Sequence, residues 1–251
     1  MQLISVNIGR ERSIKIGEQH DTTGIFKTPV TTAVEVMPLG LADDAVVDVK
    51  HHGGHDQAVY VYGAPDYAWW SAELGTELEP GTFGENLTID GLESARLNVG
   101  DVLHIGDVSL QVTAARIPCS TLAARMGDPM FVKRFRAAER PGVYCRVLRA
   151  GAVQAGAAVT PGVAGATISI VEMFRDFTTR ARAPGRSVGT RCAHRGAGAR
   201  RRGGEGAQGV TWLFTTEIAE MRKGGIGDSS AFLCVQCGDA WQGRRFHHRE
   251  R

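Results

Sequence analysis

Long apolar segments are missing from this chain of 251 residues. No stretch approaches the ~20 consecutive apolar residues that a membrane-spanning helix needs, so we expect no membrane partner. Charge of one sign is also missing, since 29 lysines and arginines oppose 27 aspartates and glutamates and leave a net charge of +2. So small an excess does not indicate binding to nucleic acid. The hydrophobic content of 43% is sufficient for a sizeable core.

Cysteine is scarce, with five residues in the whole chain, and this odd number does not suit a framework of disulfide bonds. The first eight residues alternate like a β-strand and carry neither the charged start nor the cleavage site of a secretory signal. We therefore expect free thiols, a reducing compartment and a cytoplasmic protein.

One cysteine lies in a context that favours reactivity. Cys119 follows Arg116 and Pro118, and it precedes residues 120–126, which have a helical pattern that ends at Gly127. A thiol at a helix start lies near the positive end of the helix dipole, and Arg116 adds a fixed positive charge, so both favour the thiolate. The alternative is a buried and inert cysteine, which is the usual state of a free thiol. We favour the reactive interpretation.

Short strand patterns separated by glycines run through the first two-thirds of the chain. Residues 102–105 and 108–112 flank Gly106-Asp107 and predict a two-residue β-hairpin, which places Cys119 on a loop just after a strand. Further strands are predicted at residues 13–16, 45–49, 58–62, 86–89, 143–148 and 167–173, and helices at 65–74 and 128–138. Many short strands with few helices predict a mainly β fold, either a barrel or a sandwich.

Six segments occur in an order that resembles a known family. They are residues 24–30 (GIFKTPV), 50–62 (KHHGGHDQAVYVY), 80–88 (PGTFGENLT), 99–101 (VGD), 114–122 (AARIPCSTL) and 142–148 (GVYCRVL). This order is similar to the MOSC domain, the module named for the C-terminal part of molybdenum-cofactor sulfurases, and in particular to its stand-alone bacterial YiiM-type members. The resemblance covers about residues 1–175. It implies a β-barrel with a few short helices that binds the molybdenum cofactor (molybdopterin).

The resemblance also assigns roles to five side chains. Cys119 corresponds to the presumed molybdenum ligand, and Lys27 and His52 fall at the cofactor pocket, so we predict these three as catalytic. Asn86 is suited to hydrogen bonds with a pterin, and the planar guanidinium of Arg116 suits a phosphate. All five are predicted to bind the cofactor, although Lys27 taken alone would be interpreted as a solvated loop lysine.

YiiM-type members are linked to the reduction of N-hydroxylated bases such as 6-hydroxylaminopurine, so the resemblance implies a molybdenum-dependent oxidoreductase with a small N-hydroxylated substrate. A thiolate is a soft ligand and suits molybdenum held by the dithiolene sulfurs of the pterin. No glycine-rich dinucleotide fingerprint follows a predicted strand, so electrons would come from a separate donor protein. The alternative is a non-enzymatic sulfur carrier or cofactor-handling module with a persulfide on Cys119. Both functions use the same thiolate.

The chain changes character after residue 177. Residues 180–208 consist almost entirely of arginine, glycine and alanine without periodicity, a composition that cannot bury enough apolar surface to offset chain entropy. We predict a MOSC domain over residues 1–177, followed by an irregular extension over 178–251 that is either disordered or the product of a frameshift. Aromatic residues do not interleave the arginines, so we do not expect a nucleic-acid-binding arm.

The extension contains one arrangement that resembles a metal site. Cys234 and Cys237 form a C-x-x-C pair, and His247 and His248 lie about ten residues further on. Adjacent histidines cannot easily both turn toward one tetrahedral ion, so we do not expect zinc there.

Overall fold

The computed structural model describes residues 1–49, 52–162 and 168–180, which form thirteen strands and four α-helices. The strands are β1 Gln2–Gly9, β2 Arg12–Ile16, β3 Gln19–Thr23, β4 Lys27–Val30, β5 Val34–Met37, β6 Gly40–Leu41, β7 Val59–Gly63, β8 Leu87–Asp90, β9 Val102–Ile105, β10 Val108–Ala115, β11 Val143–Arg149, β12 Gly151–Val153 and β13 Val159–Gly162. The helices are α1 Ala64–Leu74, α2 Ser120–Arg125, α3 Phe131–Ala138 and α4 Ile170–Arg180. The predicted mainly β fold with few helices is therefore confirmed.

Eight strands form one mixed sheet in the order β13-β9-β10-β11-β7-β8-β1-β4. Neighbouring strands are antiparallel except β7 and β8, which run parallel and are connected through α1. A parallel pair needs such a crossover because the chain must return to the same end of the sheet. The predicted hairpin of β9 and β10 is present, with Val108 opposite Ile105. Two smaller sheets, β12-β5-β6 and β2-β3, complete the described strands.

The expected barrel does not close within the described residues. The edge strands β13 and β4 do not pair, and β1 contacts the segment before β13 through a single bridge between Gln2 and Ala158. Backbone hydrogen bonds from Leu3 N to Ala157 O, at 2.9 Å, and from Gly156 N to Leu3 O, at 2.7 Å, reinforce this contact. Because β4 already occupies Val6–Gly9 of β1, only the first residues of β1 are available to this segment. The sheet is strongly curled but open.

Aromatic side chains fill the core between the sheet and the helices. Trp70 of α1 stacks on Phe135 of α3, with ring centroids 5.8 Å apart, and Phe83 stacks on Tyr62 at 4.7 Å. All four rings are fully buried. The indole N–H of Trp70 donates to Tyr62 Oη at 2.9 Å, which satisfies a polar group that would otherwise be buried without a partner. This core holds β7, α1 and α3 behind the site described below.

Two predicted strands are wrong. Residues 45–49 form a loop after Asp43, whose backbone takes the left-handed conformation with φ 61°, and Ala45 N donates to Gly9 O. Within residues 167–173, the described part from Ile170 onward is helical. The backbone N–H of Ser169 donates to Glu172, and the Glu172 N–H donates to Ser169 Oγ, so a capping box starts α4 where the apolar pattern suggested a strand.

Residues 181–251 lie outside the described part, and with them Cys234, Cys237, His247 and His248. The predicted division at residue 177 stays a prediction, although α4 continues past it to Arg180. Within the described ranges, no helix combines the length and apolar character needed to cross a membrane.

Candidate functional site

A cavity of about 460 Å³ opens beside strand β7, in the interior of the main sheet. Its walls come from the β2–β3 hairpin, residues 44–48, 52 and 53, the start of β7, residues 83–86 and the segment that joins β10 to α2. All five side chains predicted from the sequence line this cavity: Lys27, His52, Asn86, Arg116 and Cys119. Segments that are far apart in the sequence therefore meet at one place.

Cys119 is the residue before α2 and has an extended backbone, with φ −123° and ψ 175°. Strand β10 ends at Ala115, so a rigid hairpin delivers the thiol to the cavity wall, where the residue is partly exposed. Burial alone would raise its pKa, but a hydrogen bond from His52 and the positive charge of Arg116 outweigh this effect and lower the pKa to about 6. At neutral pH the sulfur is therefore mostly thiolate, the form that attacks electrophiles and binds metals.

Arg116 is 4% exposed, yet it has no carboxylate partner among the described residues. Its guanidinium lies over the rings of Tyr60 and Phe135, with Cζ 5.5 and 5.9 Å from the two centroids. Its Nη1 atom is buried and has no hydrogen-bond partner. A buried donor without a partner in a cavity wall is a feature that a bound anion would satisfy.

His52 is placed by a turn that depends on two glycines. Its backbone N–H donates to Asp48 O at 2.8 Å, and Gly53 and Gly54 follow with φ of 88° and 79°. The His52 ring lies between Cys119 and Tyr144, whose Oη is 3.4 Å from Nδ1. Burial raises the pKa of Tyr144, so its hydroxyl keeps its proton and can donate to this nitrogen.

Lys27 and Asn86 are linked through Asp44, a residue that the sequence analysis missed. The Lys27 ammonium donates to both Asp44 carboxylate oxygens at 2.5 Å, and both side chains are buried. Asn86 Nδ2 donates to Asp44 Oδ2 at 2.8 Å, while Asn86 Oδ1 accepts from Tyr60 N at 3.1 Å. Burial lowers the pKa of Lys27, and Asp44 opposes that shift.

These contacts define what the two polar groups still offer a ligand. An ammonium has three N–H donors, and Asp44 accepts two from Lys27, so one remains. Both ends of the Asn86 amide contact protein, which holds this side chain in a fixed position beside the cavity. Local sequence does not distinguish Asp44 from Asp43, so Asp44 could be found only from the fold. Tyr60 and Tyr144, which also line the cavity, were missed for the same reason.

Two further residues near the site face the core. Cys145 is fully buried, and burial raises its pKa, so this thiol packs in the core. Glu85, next to Asn86, is fully buried and accepts hydrogen bonds from Tyr67, Gly81 and Thr88, so it stabilises the turn behind the cavity.

Comparison with known proteins identifies the family. A family model described as the MOSC domain matches residues 48–160, which include His52, Asn86, Arg116 and Cys119. YflK of Bacillus subtilis strain 168 is 35% identical over 155 residues, an alignment that covers 62% of this chain and 70% of YflK. The chain belongs to the MOSC domain family. The predicted resemblance is therefore confirmed.

A solved structure supports the YiiM-type assignment of this MOSC protein. The crystal structure of YiiM from Geobacillus stearothermophilus is 28% identical, with a TM-score of 0.59, and the match covers 72% of this chain and 86% of that one. A protein of Gibberella moniliformis named as a reductase is 31% identical over 158 residues. Those residues are 61% of this chain and 28% of the reductase, so most of that protein has no counterpart in the alignment.

Proposed function

We propose that this MOSC protein binds the molybdenum cofactor with the Cys119 thiolate as a metal ligand and reduces small N-hydroxylated substrates such as 6-hydroxylaminopurine. The observation that carries the proposal is the thiolate itself, on the wall of a cavity of about 460 Å³, with a pKa lowered to about 6 and two donors beside it. The family supports a cofactor of this kind, and the reductase name of one relative supports redox chemistry.

The residues of the cavity fit the cofactor in two respects. A thiolate is a soft ligand that suits molybdenum. The unpartnered Nη1 of Arg116, together with the remaining N–H of Lys27, suits the cofactor phosphate, because charge-assisted bonds from nitrogen to phosphate are short and strong. Both side chains are buried, so these bonds would form away from competing water.

When bound, the cofactor would supply the two electrons that cleave the N–O bond. The overall reaction is R–NHOH + 2 e⁻ + 2 H⁺ → R–NH₂ + H₂O, so one proton must reach the departing oxygen and one the nitrogen. His52 would supply the proton to the oxygen, because its imidazole forms a hydrogen bond with Cys119 and lies 3.4 Å from the Tyr144 hydroxyl. Arg116 and Lys27 hold positive charge beside the reacting groups. The electrons would come from a separate donor protein.

Metal content and turnover together test this function. The full chain is produced in a host that makes the cofactor, and reduction of 6-hydroxylaminopurine is measured with a reduced viologen dye as the electron source. Cys119→Ser should lose both molybdenum and turnover, because serine stays protonated and ligates molybdenum poorly. Cys145→Ala, which changes a buried thiol outside the cavity, should keep both. Full metal content and turnover in Cys119→Ser would contradict the proposal.

The sulfur-carrier alternative rests on the same thiolate, which is partly exposed and therefore reachable by a sulfur donor. Absorption separates the two functions, because a molybdenum–thiolate centre has charge-transfer bands that a persulfide lacks. Protein without these bands, but with one cyanide-releasable sulfur on Cys119, would favour the carrier.

A further inference from the structure

Two arginines lie over the same aromatic ring beside the cavity. The Cζ atoms of Arg12 and Arg125 are 4.6 and 4.7 Å from the centroid of the Phe26 ring, so they are at most 9.3 Å from each other. Arg12 begins β2, Arg125 ends α2, and Phe26 immediately precedes Lys27. Three separate segments therefore place two cations together.

Neither guanidinium is paired with a carboxylate within the described ranges. The side chains of Arg12 and Arg125 form no ion pair or hydrogen bond with another described residue, and the Nε atom of Arg125 is buried without a partner. Six other arginines of the same part of the chain each pair with a carboxylate: Arg96, Arg134, Arg140, Arg146, Arg149 and Arg175. Burial and then the charge of Arg12 lower the pKa of Arg125. One guanidinium is enough for a cation–π contact with the Phe26 ring. The second guanidinium is repelled by the first, and a bound anion would offset this repulsion.

The two arginines lie next to residues that line the cavity. Arg12 pairs across the hairpin with Thr23, which lines the cavity, and Arg125 lies about one helical turn after Thr121, which also lines it. Arg125 is six residues beyond Cys119, a rise of about 9 Å along α2. One small molecule in the cavity would therefore extend from Cys119 to a group bound by Arg12 and Arg125.

We propose that Arg12 and Arg125 form a second anion site, which binds a phosphoryl group carried by the molecule in the cavity. A guanidinium presents several N–H donors in a planar fork that matches phosphate oxygens, and two such groups suit a phosphate dianion. The phosphoryl group has two sources: the 5′-phosphate of an N-hydroxylated nucleotide substrate, or a nucleotide extension of the pterin cofactor. The choice between them rests on the proposed function, whereas the anion site does not.

The test of the site needs no metal. The full chain, produced without cofactor, is titrated by calorimetry at low ionic strength with adenosine 5′-monophosphate and with adenosine. Wild-type protein should bind the monophosphate at least about tenfold more tightly, as expected for one added charge-assisted contact. The Arg12→Gln/Arg125→Gln variant should bind both ligands alike. The control Arg96→Gln/Arg149→Gln removes two exposed arginines outside the cavity and should behave as wild type.

Two results would overturn the site. One is equal binding of the two ligands by wild-type protein. The other is a preference for the monophosphate that survives in Arg12→Gln/Arg125→Gln, which would place the phosphate at Arg116. Arg125→Lys keeps the positive charge, so it should keep part of the preference for the monophosphate over adenosine. This variant therefore separates loss of the anion site from loss of the fold.

Loaded enzyme then distinguishes the two sources, with the riboside of 6-hydroxylaminopurine compared with its 5′-monophosphate. A higher KM for the monophosphate alone in Arg12→Gln/Arg125→Gln, with unchanged cofactor content, would assign the site to the substrate. Loss of nucleotide-extended cofactor, with both substrates affected alike, would assign it to the cofactor. If neither the KM for the monophosphate nor the content of nucleotide-extended cofactor changes, the proposed phosphoryl site is wrong. Wild-type enzyme that reduces neither substrate would contradict the proposed function, while the calorimetric titration would still decide the anion site.

Discussion

The ionisation of Cys119 can be measured through its reaction with iodoacetamide, without any metal. We predict that the alkylation rate of Cys119 rises with pH with a midpoint at about 6. His52→Gln should move this midpoint upward, because it removes the hydrogen bond from His52 that favours the thiolate against the effect of burial. Arg116 remains in that variant and continues to oppose the effect of burial.

The size of the effect shows why the midpoint, and not the rate, is diagnostic. At pH 7 a thiol with a pKa of about 6 is about 90% thiolate, against about 1% for a pKa of 9.0. The intrinsic nucleophilicity of a thiolate falls with its pKa, and a Brønsted coefficient of about 0.4–0.5 over three pH units lowers it about 15- to 30-fold. The two effects largely cancel and leave Cys119 only about three- to sixfold faster than an ordinary thiol.

The assay follows one tryptic peptide, residues 117–125, by mass spectrometry after timed labelling at a series of pH values. The buried Cys145 is the internal control and should stay unlabelled in native protein, because burial raises its pKa. A midpoint near 9 in wild-type protein would refute the argument that His52 and Arg116 outweigh burial. An unchanged midpoint in His52→Gln would refute the role given to His52.

Three further predictions concern the frame of the site. Asp44→Asn leaves the buried Lys27 ammonium without its charged partner, so it should lower the free energy of unfolding in urea by about 3–5 kcal/mol. Asp43→Asn changes an exposed neighbour and should alter this free energy little. Equal stability of the two variants would show that the ion pair is not structural. Arg116→Ala should weaken cofactor retention about ten- to a hundredfold while the melting temperature changes less; the reverse order of effects would make Arg116 a folding residue. A chain that ends at residue 180 should keep the melting temperature and metal content of the full chain. A chain that ends at residue 169 should lose about 1.5–3 kcal/mol of the free energy of unfolding for each of the buried side chains Ile170 and Phe174. A large loss at the 180 cut would show that residues 181–251 contribute to stability.

The sequence predicted that Cys119 lies at a helix start and that a hairpin precedes it, because both features depend on local signals. Arg116, Pro118 and a helical pattern surround Cys119, and the turn Gly106-Asp107 specifies the hairpin between β9 and β10. Five segments of the family resemblance also contribute to one cavity. These features need no knowledge of how distant parts of the chain meet.

Other features depend on contacts that no local pattern encodes. Asp44 is important because the fold brings it against Lys27 and Asn86, which lie 17 and 42 residues away. The apolar residues 45–49 resemble a strand, yet the left-handed turn at Asp43 sends them along the cavity as a loop. The start of α4 was encoded locally, by Ser169 and Glu172, but the apolar alternation around it favoured a strand. Closure of the sheet depends on how β4 and the segment before β13 share one edge of β1, which is a property of the whole fold.

That shared edge has a consequence for the order of folding. Strand β1 precedes the other described strands, yet part of its edge is paired with residues more than 150 positions later in the chain: Met1 O accepts from Val159 N, and Leu3 N donates to Ala157 O. Strand β4 covers the other half of this edge soon after synthesis, through Lys27–Val30. Contacts between such distant residues carry a high entropic cost before they form, so we expect the amides of residues 1–3 to gain protection from hydrogen exchange last during refolding. We therefore expect the pairing of residues 1–3 with residues 156–159 to be the last step in forming the domain.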